Sequence, residues 1–138
     1  MLSEGKKSLM LYRLETAGKS LDAAKVLIDA QAFKDAANRS YYCVFHAMRA
    51  VLAKDGFDSK KHSGVIAAFR QRYLKTGIFS PVLSEIIRNA FDVRGKSDYE
   101  DFFVISKEDI VKQVEDAGVF LSAIENYINN ILFKAIIR

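Results

Sequence analysis

Arg39, Tyr42, His46 and Arg49 stand three or four residues apart, with Asn38 directly before them. On a helix they share one stripe. Guanidiniums interleaved with a phenol and an imidazole suit a ligand with phosphate and base parts, the cations for charge and the rings for stacking. The same row also fits the solvated face that an amphipathic helix turns to water. A second group is Arg94-Gly95-Lys96-Ser97-Asp98-Tyr99. Its glycine and serine mark a bend after a helix, where Asp98 and Tyr99 could fix Arg94 or cap a following turn. A third is Lys60-Lys61-His62-Ser63-Gly64. Two lysines beside the free N–H groups of a helix start could receive a phosphate, or be solvated charges next to a cap. The glycine pattern of a P-loop is missing there.

Other reactive groups read as bland. Cys43 is the only cysteine and flanks an apolar row, so it serves as a small hydrophobe despite His46 three residues on. A single thiol makes no internal disulfide, which fits a reducing cytosol. Two histidines and one cysteine argue against a His/Cys zinc site, and no metal or cofactor is expected. The pairs Glu108-Asp109 and Glu115-Asp116 look like solubilising charge on a helix surface.

Helical periodicity positions these groups. A first segment, about 3–30, carries Leu9, Tyr12, Ala17, Leu21, Ala24 and Ile28 on its apolar row. A second, about 34–54, carries Ala37, Tyr41, Val44, Phe45, Met48, Val51 and Leu52, and Gly56 is a plausible stop. The third is predicted to start at Ser59 as N-cap and to end at Gly77, with Val65, Ile66, Phe69 and Tyr73 inward. Ser80-Pro81 opens the fourth, whose inner face is Leu83, Ile86, Ile87, Ala90 and Phe91 and which runs out near Gly95. The fifth begins at Ser106 with Asp109 three residues on, a capping-box pattern. Ile110, Val114, Ala117, Leu121, Ile124, Ile128, Ile131 and Ala135 then follow at alternating steps of four and three. The short Phe102-Phe103-Val104-Ile105 run precedes a cap and is not a convincing strand. The expected fold is all-α, a five-helix up-and-down bundle forming one domain over residues 1–138.

Composition sets the outer bounds. Half of the residues are hydrophobic and 28% are charged, an ordinary balance for one packed core. No apolar run reaches the length of a membrane span, and the polar N-terminus is unlike a signal peptide, so a cytoplasmic location is expected. Charge is uneven along the chain. Residues 34–96 hold twelve Lys/Arg against five Asp/Glu, whereas residues 97–138 hold four against eight. A basic middle that includes Arg70, Arg72 and Lys75 favours an anionic partner or self-complementary association.

At these residues the chain resembles the HEPN (higher eukaryotes and prokaryotes nucleotide-binding) superfamily. Asn38-Arg39-Ser40-Tyr41-Tyr42 followed by Phe45-His46-Ala47-Met48-Arg49-Ala50 is similar to the second helix of that family. Lys61-His62-Ser63-Gly64-Val65-Ile66 with Phe69, then Lys75-Thr76-Gly77, is similar to the third helix of one uncharacterised branch. Arg94 with Asp98-Tyr99 and a long terminal helix completes the pattern, over roughly residues 10–130. The resemblance implies a helical bundle, commonly a homodimer. It implies either a metal-independent ribonuclease of toxin–antitoxin, CRISPR or RNA-processing systems, or a non-catalytic partner of a minimal nucleotidyltransferase. Nuclease members carry an arginine, four to six residues, then a histidine. After Arg94 those positions are Tyr99, Glu100 and Asp101; after Arg88 they are Val93, Arg94 and Gly95. Tyrosine is a poorer general base than imidazole near neutral pH.

The reading that follows is a HEPN module that dimerises and binds RNA or a nucleotide through Asn38, Arg39, Tyr42, His46, Arg49, Lys61 and His62, with Arg94. It would work beside a nucleotidyltransferase partner in a toxin–antitoxin-like system. The alternatives are a ribonuclease using Arg94 with Tyr99, Asp98 or a histidine from another helix (His46 or His62), and a protein-interaction module assembled through the fifth helix.

Overall fold

In the computed structural model, residues 2–137 are described and form five α-helices in chain order. These are α1 (Glu4–Asp29), α2 (Phe33–Lys54), α3 (His62–Phe69), α4 (Val82–Tyr99) and α5 (Lys107–Ile137). A π-helical turn, Arg70–Leu74, continues α3. The architecture is the all-helical bundle that the periodicity predicts, and among the described residues there is no strand.

α2 is the axis. Its apolar residues do not form a stripe but nearly surround it, from Ala36 and Ala37 through Tyr41, Val44, Phe45, Met48 and Val51 to Leu52. A helix of that kind is stable only when covered on most sides, and α1, α3, α4 and α5 all pack on it. Ala36, Ala37, Ala47 and Ala50 are fully buried, so neighbouring backbones can approach closely there. Gly56 ends the helix at φ +72°, a conformation that costs a side chain roughly 1–2 kcal/mol and glycine nothing. The predicted row on α5 is buried from Ile110 to Ile128; Ile131 is half-buried, and the side chain of Ala135 lies outside the described residues. The cap of α5 behaves as its sequence suggests, with Asp109 N–H donating to Ser106 Oγ (3.1 Å), whereas α4 starts one residue later than expected: Pro81 is its N-cap, and Ser80 Oγ accepts from Val82 N–H (3.2 Å) in the turn before it.

Further local expectations are corrected. On α1, Leu9 and Tyr12 face water (Tyr12 is 62% exposed), and Met10, Arg13, Ala17, Ser20, Leu21 and Ala24 face inward. An arginine on the inner row hid the true register; its charge is tolerated because partners meet it there. α3 begins at His62 rather than at Ser59. Ser59 instead shapes the preceding turn, its Oγ accepting from Lys61 N–H (3.2 Å) while its own N–H donates to Asp58 Oδ1 (2.9 Å). α4 passes through Gly95 without a bend and ends at Tyr99. Glycine permits a break but does not impose one, and the Arg94–Asp98 ion pair spans the position at i,i+4. Phe91, expected inside, is 43% exposed.

Candidate functional site

The polar stripe of α2 lies where α3 and the end of α4 close on it. Asn38, Arg39, Tyr42, His46 and Arg49 are all half-buried, so the stripe borders neighbouring helices instead of open water. His62, the first residue of α3, stacks on Phe45 at 4.1 Å between ring centroids. It also meets Tyr41, with 2.8 Å between the phenol oxygen and Nδ1. Burial pushes the Tyr41 phenol up to about 12, against the opposing pull of Arg94. Burial and then the charges of Arg94 and Arg49 hold His62 below its ordinary value. Both groups are therefore neutral near pH 7, and the imidazole tautomer sets which of the two donates across this contact.

Arg94 reaches the same place from α4. Its Cζ lies 4.9 Å from the Tyr41 ring centroid and 5.5 Å from that of Tyr42, and it donates a long 3.4 Å hydrogen bond to the Tyr42 hydroxyl. Its Nε is 3.1 Å from Asp98 Oδ2, an ion pair without an aligned N–H bond. Arg39 covers Tyr42 from α2 at 5.0 Å and is held by Asn38 Oδ1 (2.7 and 3.0 Å). Tyr42 thus has two guanidiniums within cation–π distance, each contributing about 0.5–1 kcal/mol of attraction at a partly open site.

Arg13 and Asp58, which periodicity did not single out, anchor the other end. Arg13 donates to Asp58 Oδ2 (3.3 Å) and to the Arg49 carbonyl (3.1 Å), and Arg49 donates to the same carboxylate oxygen (3.2 Å). Burial pulls the Asp58 carboxyl upward, but hydrogen bonds from Arg49 and the Ser59 N–H, with the Arg49 and Arg13 charges, leave it below its ordinary value. The bridge ties the loop before α3 to α1 and α2, and so sets where His62 stands. A cue for Arg13 existed in the Met10, Arg13, Ala17 spacing; for Asp58 the sequence held none.

The face is cationic with neutral imidazoles. Among the described residues, the only carboxylates that Arg13, Arg39, Arg49 and Arg94 pair with are Asp58 and Asp98. Burial, reinforced by Arg49, Arg39 and Arg13, brings His46 down to about 4. Such an arrangement attracts an anion and offers ring faces beside it. Lys61 and Tyr99 are not gathered in: both are exposed, Tyr99 at 80%, and neither side chain makes a hydrogen bond among the described residues. Cys43 is buried, and burial pushes its thiol up to about 12. Among the described residues no group of three or more His, Cys, Asp or Glu is placed to hold a metal ion, and no helix is long and apolar enough to cross a membrane.

Comparison with known proteins places this geometry in a family. The profile of the HEPN domain matches residues 10–127. A UPF0332 protein of Thermotoga maritima is 32% identical over 126 residues, covering 91% of this chain and 96% of the relative. Two proteins of Methanocaldococcus jannaschii, each named as a candidate toxin, are similar. One is 30% identical over 86% of this chain and 88% of its own, the other 32% identical over 83% and 78%. The chain belongs to the HEPN domain family.

Proposed function

We propose that this protein is a single-domain HEPN module that binds RNA or a nucleotide on the face built by Arg39, Tyr42, His46, Arg49, His62 and Arg94. The observation that carries the reading is the convergence of Arg39 and Arg94 on Tyr42, from α2 and α4, beside a cationic surplus. Two cations converging on one ring can share phosphate oxygens between them, and the neighbouring rings give bases a surface. A histidine held near 4 is neutral at pH 7 and a weak proton acceptor, which favours binding over proton transfer. The proposal extends to a cytoplasmic homodimer working with a nucleotidyltransferase partner in a toxin–antitoxin-like system, in keeping with the names of the Methanocaldococcus jannaschii relatives.

A second reading is favoured by one contact. His62 supplies, from α3, an imidazole beside Arg94 and Tyr41 that the spacing after Arg94 lacks. With Nε2 free to exchange protons, it could serve a metal-independent ribonuclease. Arg94 would then stabilise the phosphorane charge, and Asp98 would hold Arg94.

The test is labelled single-stranded RNA with wild type and Arg94→Ala, in the presence of chelator. Binding without cleavage, weakened roughly 10- to 150-fold by loss of one charge-assisted contact, supports the binding module. Cleavage that survives chelator and vanishes in both Arg94→Ala and His62→Ala establishes the ribonuclease. RNA affinity that Arg94→Ala leaves unchanged removes this face from either account.

A further inference from the structure

A cleft of about 380 Å³ lies between α3 and α4, next to the arginine face but outside it. Ile66 and Ala67 line one side, Ile87 and Phe91 the other. Arg70 and Asp92 stand at the rim. Apolar walls with a few convergent polar groups are what a small planar ligand requires. Arg70 has no acidic partner among the described residues, and its Nε is buried with no acceptor. It opens the π-helical turn, a widened turn that is frequent at functional positions. The cleft is continuous with the arginine face. Ser63, next in chain to His62, lines it. Phe91 lies 6.2 Å from Tyr41 between ring centroids, and Tyr41 in turn carries Arg94 at 4.9 Å. One helical turn of α4 separates Phe91 from Arg94, about 4.5 Å along the axis.

We infer that the cleft is a nucleobase subsite, in which a planar base stacks on Phe91 opposite Ile66 and Ala67 while its phosphate lies on Arg94. Arg70 donates to ring acceptors and Asp92 accepts from an exocyclic amine. The aromatic wall is already half-open to water, so a base covers apolar surface there without displacing packed side chains. Charge decides between this occupant and an aliphatic one. A base linked to phosphate uses both the unpaired Arg70 and the adjacent surplus of guanidiniums, whereas an apolar side chain would leave both unused. The inference rests on the anion-binding reading of the arginine face.

NMR titration of the intact protein with AMP, GMP and ribose 5-phosphate tests it. Wild type should bind the nucleotides roughly 5- to 150-fold more tightly than the sugar phosphate, the range that one stacked base contributes. Ala67→Phe, at an exposed position, fills the cleft and should bring nucleotide affinity down to that of ribose 5-phosphate, which stays unchanged. Phe91→Ala should do the same by removing the stacking wall. Equal affinities for nucleotide and sugar phosphate in wild type, both lost in Arg94→Ala, would leave the arginine face standing and overturn the subsite. A nucleotide preference that survives both cleft variants would also overturn it. Absence of binding by any of the three probes would remove the subsite and the anion-binding reading together.

Discussion

Replacing His46 with glutamine should flatten the acid limb of the stability profile. Folding withdraws His46 from water and places it among Arg49, Arg39 and Arg13, so its folded titration lies at about 4 instead of 6.5. Below pH 6.5 the unfolded chain therefore takes up a proton that the folded chain refuses. The stability associated with neutral His46 is complete above pH 6.5 and is lost as pH falls toward 4. At full strength the loss reaches about 2 kcal/mol by pH 5. The imidazole is only half-withdrawn from water, and solvent screening reduces this to about 1 kcal/mol. Urea denaturation of wild type and His46→Gln at pH 7.5, 6 and 5 isolates the effect, because every other titrating group, His62 included, is common to both. The wild type should lose about 1 kcal/mol relative to the variant between pH 7.5 and 5. Parallel profiles, or a wild type that gains on the variant in acid, would refute the argument. With only two histidines in the chain, imidazole NMR gives an independent reading: the His46 midpoint should lie well below 6.5 and rise when a polyanion covers the arginines.

Gly95→Ala should raise stability by about 0.5–1 kcal/mol, seen as a melting temperature higher by about 2–4 °C, since a Cβ at Gly95 meets nothing within 4 Å and the residue is helical. A fall would mean that the residue marks a real bend. Arg13→Met should remain within about 1 kcal/mol of wild type, because an apolar chain of similar length replaces a costly buried charge and Asp58 keeps Arg49. Arg13→Ala should lose about 2 kcal/mol or more through the missing packing, and equal losses in the two variants would show that the charge itself is required. Cys43 should react with a thiol reagent only as fast as the protein opens, given its burial and a thiol titrating at about 12; rapid labelling of folded protein at pH 8 would contradict this.

Legibility in the sequence followed the strength of the apolar signal. α2 and α5 have dense apolar signals, and every predicted inner residue of α2, with those of α5 from Ile110 to Ile128, is buried. α1 is weakly amphipathic, and near its start two registers compete. Burial chose the one containing Arg13, because the carboxylate that makes this arginine tolerable stands 45 residues away. Gly95 shows the converse: a residue that allows a bend says nothing about whether neighbouring contacts require one. For the candidate site, the α2 stripe and Arg94 were visible as spacings, but Tyr41 read only as core and Asp58 not at all. Their roles come from contacts across helices that spacing along one helix does not contain.

Five helices, the polar stripe on α2 and the absence of a histidine at the spacing after Arg94 were already readable along the chain, because helical period and capping chemistry are local. Packing across helices brought His62 to face Arg94 across Tyr41 and gave Arg13 and Arg49 a shared Asp58. It also decided that a cleft would open between α3 and α4. Each of these depends on how far one helix slides and turns against another, which the packing of the whole core settles at once.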